Sequence, residues 1–254
     1  MKQLVIVNAD DFGMSFAINE GIRRSFEMGL VSSASIMANM PAFEEACDIA
    51  RSGQFSDCIG LHFNLTEGTP LSSAIKDCPR FCNPAGNFIF TRRSGMKLSN
   101  FERCAVAEEL TAQWQTCTRN GIPLTHLDTH RHVHTSWGIA SVIIQLKEEL
   151  GIPAVRIHWN IVPPADPLKR IYYRLINQRF RNAGLAATAF GAQTTQGALA
   201  IRQHMMPLEI MVHPIMSSDG RVIDHLEKRA LDEIIAEFDF QMRFVSFREV
   251  NSAS

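Results

Sequence analysis

Segments typical of buried strands alternate with segments typical of amphipathic helices along most of the chain. Residues 4–7 form a continuous aliphatic run, and apolar side chains then recur at a spacing of four, at Ile18, Ile22, Phe26 and Leu30. This alternation predicts a mostly parallel sheet with right-handed crossovers, either open and doubly wound or closed into a barrel. No glycine-rich phosphate motif follows the first strand, so the barrel is favoured.

The same signals position the other elements of an α/β barrel. Strands are predicted at 4–7, 33–37, 58–65, 124–129, 154–157, 208–212 and 244–247, and helices at 18–30, 42–51, 102–120, 137–150, 168–182 and 227–238. Irregular stretches lie around 66–100 and 184–206. Because no repeat or linker divides the pattern, we expect one domain over residues 1–254.

Charge and cysteine content limit the partners and the compartment. The chain has 25 Lys and Arg against 26 Asp and Glu, a net charge of -1, so no bulk field attracts nucleic acid or an anionic membrane. The first apolar run is too short for a signal peptide, and no 18-residue apolar stretch predicts a membrane span. Six cysteines without a Cys-x-x-Cys pair indicate reduced thiols and a cytoplasmic protein. The oligomeric state, a homodimer included, stays open.

A histidine-rich segment, residues 126–134, holds four of the nine histidines. On a strand, His126, Asp128 and His130 would share one face, whereas helical spacing would pair His130 with His134. Buried polar groups must be satisfied, so this face predicts either a metal site or a self-satisfied hydrogen-bonded network.

Further candidate groups stand at the ends of other predicted strands. Asp10 and Asp11 end the first strand, where one carboxylate could bind a metal and the other could transfer protons, although an extended chain points neighbours to opposite sides. The alternative is an Asp that caps the helix beginning near Ser15. His62 lies near the end of another apolar strand, where a lone histidine is more often a hydrogen-bonded core residue, and only the clusters at the ends of neighbouring strands favour a functional role. His213 also ends an apolar strand, and a core role and a functional role are equally compatible with its position.

Four segments, in order, resemble the YdjC-like carbohydrate deacetylases, a family that includes chitooligosaccharide deacetylases and hopanoid-biosynthesis-associated members. They are Ile-Val-Asn-Ala-Asp-Asp-Phe-Gly at 6–13, Gly-Leu-His-Phe-Asn-Leu at 60–65, Thr-His-Leu-Asp-Thr-His-Arg-His-Val-His at 125–134 and Glu-Ile-Met-Val-His-Pro at 209–214. The resemblance implies a distorted (β/α) barrel of the TIM type that holds one divalent ion, Mg²⁺ or Zn²⁺.

The resemblance also implies roles for individual residues. Asp11, His62 and His130 would bind the metal, Asp10 would be the general base and His213 the general acid. A further group would support the site or contact the substrate: His126, Asp128, His132, His134 and Arg156.

The expected activity is hydrolysis of an N-acetyl group on a small acetylated carbohydrate, with release of acetate. One alternative is a barrel phosphoesterase or an amidohydrolase that cleaves another bond, with a phosphate clamp drawn from Arg131, Arg156 and Lys169. A second alternative is a sugar-binding protein without turnover. The presence of Asp10 beside Asp11 disfavours it, because binding alone needs no proton-transfer pair.

Overall fold

The computed structural model describes residues 3–158, 166–185, 188, 190–192, 207–237 and 242–252. Its strands are β1 (Gln3–Phe12), β2 (Ser33–Ile36), β3 (Ile59–Phe63), β4 (Leu127–Thr129), β5 (Phe190–Ala192), β6 (Leu208–Val212), β7 (Pro214–Met216), β8 (Val222–Asp224), β9 (Arg229–Ala230) and β10 (Met242–Phe244). Its helices are α1 (Phe16–Glu27), α2 (Phe43–Ser52), α3 (Asn100–Arg119), α4 (Trp137–Leu150), α5 (Pro167–Asn182), α6 (Leu231–Ala236) and α7 (Phe247–Ser252).

A parallel sheet in the order β4-β3-β2-β1-β6-β5 forms the centre of the molecule, and β10 adds to the first residues of β1. Beyond β4 the ladder continues, because the Leu127 amide donates to Ala154 (2.8 Å) and the Arg156 amide donates to Leu127 (3.0 Å). The Val155 amide then donates to Leu185 (2.6 Å), on the segment that leads to β5. The predicted distorted α/β barrel is confirmed.

The aliphatic run of β1 is buried on both faces, as parallel strands covered by helices require. Val5, Val7 and Ala9 belong to the main core between sheet and helices, whereas Ile6 packs inside the barrel. The partners of Ile6 are Ala154, Val245, Phe247 and Val250. Towards the carboxyl end of β1 the inner face changes from apolar to polar, which positions the candidate site there.

Four predicted elements differ clearly from the structure, and one of them, the strand predicted at 124–129, begins only at Leu127. The helix predicted at 227–238 begins only at Leu231, because an antiparallel hairpin of β8 and β9 precedes it and the Asp224 side chain accepts from the Glu227 amide (2.9 Å). The strand predicted at 154–157 is reduced to one bridge between Val155 and Leu127. The last strand, predicted at 244–247, already ends at Phe244, and α7 begins at Phe247.

The irregular stretch at 66–100 is described in full and contains one 3-10 turn, Arg92–Gly95, and one isolated bridge, as its sequence predicts. Most of the stretch at 184–206 lies outside the described residues. All six cysteine side chains are unpaired thiols. Among the described helices, none is both long and apolar enough to cross a bilayer.

Gly60 lies on the inner face of β3 against the ring of His126. A Cβ on Gly60 would stand 2.3 Å from Cε1 of His126, and Phe247 stacks on the other side of that ring (centroids 3.8 Å apart). We therefore expect Gly60→Ala to lower the free energy of unfolding by roughly 1–3 kcal/mol, measured by urea titration. His126→Ala makes room, so the double variant should recover part of the loss. Strict additivity of the two changes would show that this contact is not the cause.

Candidate active site

The two adjacent carboxylates at the end of β1 reach the same pocket because the backbone is irregular there. The pairing of β1 with β2 shifts register between Ala9 and Phe12, and Asp11 adopts a left-handed conformation with φ 69°. This conformation is uncommon for a residue other than glycine and is typical of functional sites. The alternation of an extended chain therefore does not hold at Asp11, and both carboxylates lie close to His62. Neither caps α1, since the Ser15 side chain does so.

Asp11, His62 and His130 converge at the carboxyl ends of β1, β3 and β4. Oδ1 of Asp11 lies 3.1 Å from Nε2 of His62 and 2.8 Å from Nδ1 of His130. One candidate ligand atom from each residue lies within 4.8 Å of the others. Asp11 and His62 are buried, and His130 exposes 11% of its side chain. One carboxylate oxygen and two imidazole nitrogens at this spacing are a donor set that fits a divalent cation and leaves positions open.

Asp128 fixes the orientation of His62 from the side opposite Asp11. Nδ1 of His62 lies 2.7 Å from Oδ1 of Asp128, and Ser35 donates to the other oxygen of Asp128 (2.8 Å). A carboxylate on the second nitrogen is the usual support of a metal-binding histidine, and it leaves Nε2 directed at Asp11. Burial lowers the pKa of His62, but Asp128, Asp11 and Asp10 outweigh it and raise that pKa to about 10. Because the raised pKa keeps the ring of His62 protonated at neutral pH, a cation that binds to this ring must displace a proton from it.

Arg156 is buried and organises three carboxylates around one guanidinium. Its Nη1 and Nη2 each lie 2.7 Å from one oxygen of Asp10, Nη2 also lies 2.7 Å from Asp128, and Nε donates to Glu209 (2.6 Å). Burial raises the pKa of Asp10, but Arg156 outweighs it and holds that pKa well below its usual range. The donors of Arg156 are thus directed at other groups of the protein: Asp10, Asp128, Glu209 and Met211.

Two histidines of the 126–134 segment belong to the core. His126 shares the inner face with Asp128, as strand spacing predicts, but lies two residues deeper in the barrel and stacks on Phe247. His134 bonds to Thr129 through Nδ1 (2.6 Å) and lies against Phe180. Burial lowers the pKa of His126 to about 3 and that of His134 well below its ordinary value. Neither ring contacts Asp11.

The rest of the segment turns sharply after His130. Arg131 and His132 have φ of 50° and 55°, which interrupts the helical geometry and removes the predicted pairing of His130 with His134. His132 is half-buried, and its ring centroid lies 6.3 Å from that of His158, a residue that the sequence analysis missed. His158 lies two residues after Arg156. Residues two apart on an extended chain point to the same side, so this spacing could have identified His158.

His213 ends β6 on the same rim of the barrel and is half-buried. Its amide donates to the buried carboxylate of Asp224 (2.7 Å), and its ring faces His225 nearly at right angles, with centroids 5.3 Å apart. His213 contributes electrostatically to the lowered pKa of Asp10, after the larger effects of Arg156 and His62. His225 was not predicted, because the hairpin of β7 and β8 brings it back to His213 and the sequence pattern does not show that hairpin.

The fold and the cluster of Asp11, His62 and His130 define an α/β barrel with a candidate metal centre at the carboxyl ends of its strands. The chain belongs to the YdjC-like protein family, whose model matches residues 4–243. A carbohydrate deacetylase of Geobacillus stearothermophilus is 40% identical over 153 residues, which are 60% of this chain and 59% of that protein. The match thus spans somewhat over half of this relative's length.

Two further matches cover more of the molecule. A carbohydrate deacetylase of Halalkalibacterium halodurans is 35% identical over 214 residues, covering 83% of this chain and 84% of the relative. A crystal structure from Enterococcus faecalis V583, of a protein provisionally assigned to cellobiose-phosphate cleavage, superposes with a TM-score of 0.76 at 19% identity. The superposition covers 98% of this chain and 99% of the Enterococcus faecalis chain, and it shows that the two proteins share a fold.

Proposed function

We propose that this chain is a metal-dependent hydrolase that removes the acetyl group from the nitrogen of an amino sugar and releases acetate. The observation that carries the proposal is the position of the Asp11, His62 and His130 cluster beside the ion pair of Asp10 and Arg156. Two relatives of this family carry the name carbohydrate deacetylase, which supports a carbohydrate substrate. Six unpaired thiols support a cytoplasmic location.

Asp11, His62 and His130 would hold the divalent ion, Mg²⁺ or Zn²⁺. When bound, such an ion polarises a carbonyl oxygen and lowers the pKa of a water. Imidazole ligands suit Zn²⁺ on grounds of softness, whereas Mg²⁺ prefers oxygen.

Asp10 is the acceptor for the proton of the attacking water. Arg156 keeps this carboxylate ionised and fixes its plane through two hydrogen bonds. Asn8 donates a third, to Oδ1 (2.9 Å). A carboxylate offers about four lone-pair sites, so one remains for a proton. The low pKa of Asp10 limits its basicity, and orientation rather than basicity is its main contribution.

His213 is the proton donor to the departing nitrogen. An amine expelled as an anion is a very poor leaving group, so the reaction needs an acid positioned at the departing nitrogen. The hydrogen bond from the His213 amide to Asp224 fixes the start of this side chain, and the ring of His225 packs against it.

A phosphoesterase is less well supported. The donors of Arg156 are directed at carboxylates and at Met211, Arg131 is exposed and pairs with Glu67, and Lys169 is exposed on α5. A sugar-binding protein without turnover does not account for two adjacent carboxylates held in different environments, one paired with a guanidinium and the other with two imidazoles.

Acetate release from a panel of sugars tests the proposal. Protein stripped with a chelator and reloaded with Zn²⁺ or Mg²⁺ is assayed on N-acetylglucosamine, on short chitooligosaccharides and on an O-acetylated sugar as the ester control. We expect no release without metal and restored release from the N-acetylated sugars with it. Equal release with and without metal, or release from the ester alone, would contradict the proposal.

A further inference from the structure

The two imidazoles of the candidate metal centre are arranged alike. Each directs one nitrogen at Oδ1 of Asp11, His62 through Nε2 and His130 through Nδ1. The remaining nitrogen of His62 meets Asp128 at 2.7 Å. The remaining nitrogen of His130, Nε2, faces Oε1 of Glu67 at 3.5 Å. Both rings therefore lie between the shared Asp11 and an outer carboxylate.

Glu67 is held in place by the turn that follows β3. Oδ1 of Asn64 accepts from the amides of Thr66 (2.9 Å) and Glu67 (3.2 Å), and Nδ2 of Asn64 donates to the carbonyl of Glu67 (2.8 Å). Asn64 itself is fixed by Gln113 of α3, which bonds to both its amide (3.1 Å) and its carbonyl (2.8 Å). The backbone of Glu67 is thus tied to the barrel.

A second attachment lies just beyond Glu67. The carboxylate of Glu109, fully buried on α3, accepts from the amides of Leu71 (3.1 Å) and Ser72 (2.7 Å) and from Nε2 of Gln113 (2.8 Å). Because α3 fastens the loop on both sides of Glu67, this residue is presented to the metal centre from a defined position. Its side chain is 28% exposed and also pairs with Arg131.

We propose that Glu67 is a positioning residue of the metal centre, an inference that rests on the proposed metal-dependent function. Its carboxylate accepts a hydrogen bond from Nε2–H of His130 and so fixes the ring with Nδ1 directed at the position shared with Asp11 and His62. At 3.5 Å the two atoms are in ion-pair contact, and a hydrogen bond of ordinary length requires them to approach by roughly 0.5 Å. Outer carboxylates of this kind typically contribute 10–100-fold to metal affinity.

The test measures Zn²⁺ affinity by competition with a chromophoric chelator, without reference to turnover. Glu67→Ala should weaken binding about 10–100-fold, as should Asp128→Asn. Glu67→Gln should lose less, because its amide oxygen still accepts from Nε2–H. Arg131→Gln is the matched control: it removes the other partner of Glu67, leaves the carboxylate in place and should bind Zn²⁺ as the wild type does.

Nitrogen-15 spectra of the Zn²⁺-loaded wild type, with labelled histidine, test the same point without a variant. We expect His130 to carry its proton on Nε2 and the metal on Nδ1. Metal on Nε2 of His130, or unchanged affinity in Glu67→Ala, overturns the role of Glu67 while the metal centre stands. A wild-type protein that binds no Zn²⁺ overturns the proposed function together with this inference.

Discussion

Asp10→Asn is expected to keep its metal and to lose about 10²–10⁴-fold in kcat, the usual contribution of a general base. The asparagine amide cannot accept the proton of the attacking water, whereas Asp11, His62 and His130 are untouched by the change. The measurements are kcat from acetate release and metal content by elemental analysis, carried out on the same preparation.

Glu209→Gln is the matched control for Asp10→Asn. It removes a carboxylate from the same guanidinium, 2.6 Å from Nε of Arg156, but on the side of Arg156 away from Asp10. We expect kcat to change by only a few-fold. Comparable losses in both variants would assign the effect to Arg156 and not to proton transfer, and wild-type kcat in Asp10→Asn would remove Asp10 as the base.

Arg156→Met should have the largest effect on stability, a loss of roughly 3–5 kcal/mol, because it removes the guanidinium that Asp10, Asp128 and Glu209 share and leaves Glu209 buried without a partner cation. The free energy of unfolding is measured by urea titration at pH 7. Arg248→Met is the control, since the Arg248 side chain is 66% exposed and pairs with Asp57 at the surface. Its loss should stay below about 1 kcal/mol.

The stability loss in Arg156→Met should also depend on pH. In the wild type the pKa of Asp10 is depressed, so its ionised form stabilises the fold at pH values above its unfolded pKa. Burial raises the pKa of Glu209, and Arg156 opposes this effect at Glu209 and outweighs it at Asp10. Without Arg156 the effect of burial is no longer opposed by the guanidinium, and the folded state resists ionisation of these two groups. The variant should therefore lose further stability between pH 5 and pH 8. A constant difference from the wild type over this range would mean that the ionisation of Asp10 and Glu209 does not depend on Arg156.

Much of the fold follows from the sequence, because buried parallel strands and amphipathic helices have periods that can be recognised. The helix at 137–150 agrees with its prediction residue for residue. The start of the helix predicted at 227–238 was wrong, because a hairpin occupies the residues before Leu231. This hairpin depends on the turn at Asp224 and on pairing with β7, and neither has a hydrophobic period. The short segment around Val155 pairs too little to be a regular strand.

The site was less predictable than the fold. Strand spacing places Asp128 on the inner face, and the family resemblance names Asp11, His62 and His130 as ligands. Spacing alone could not show that Asp10 and Asp11 share a pocket, because this depends on the left-handed backbone at Asp11. The contact of Glu67 with His130 depends on a loop fastened to α3, and no local pattern encodes that attachment.

The central position of β1 has a consequence for synthesis of the chain. One edge of β1 pairs with β2, about 20 residues further on, but its other edge pairs with β6, which begins at Leu208. Synthesis adds roughly 5–20 residues per second, so β6 is completed on the order of 10–40 s after β1. During this time the second edge of β1 has no β6 to pair with. An unpaired aliphatic strand edge is a template for wrong pairing between chains. Nascent chains that end before Leu208 should therefore depend on chaperones that cover β1.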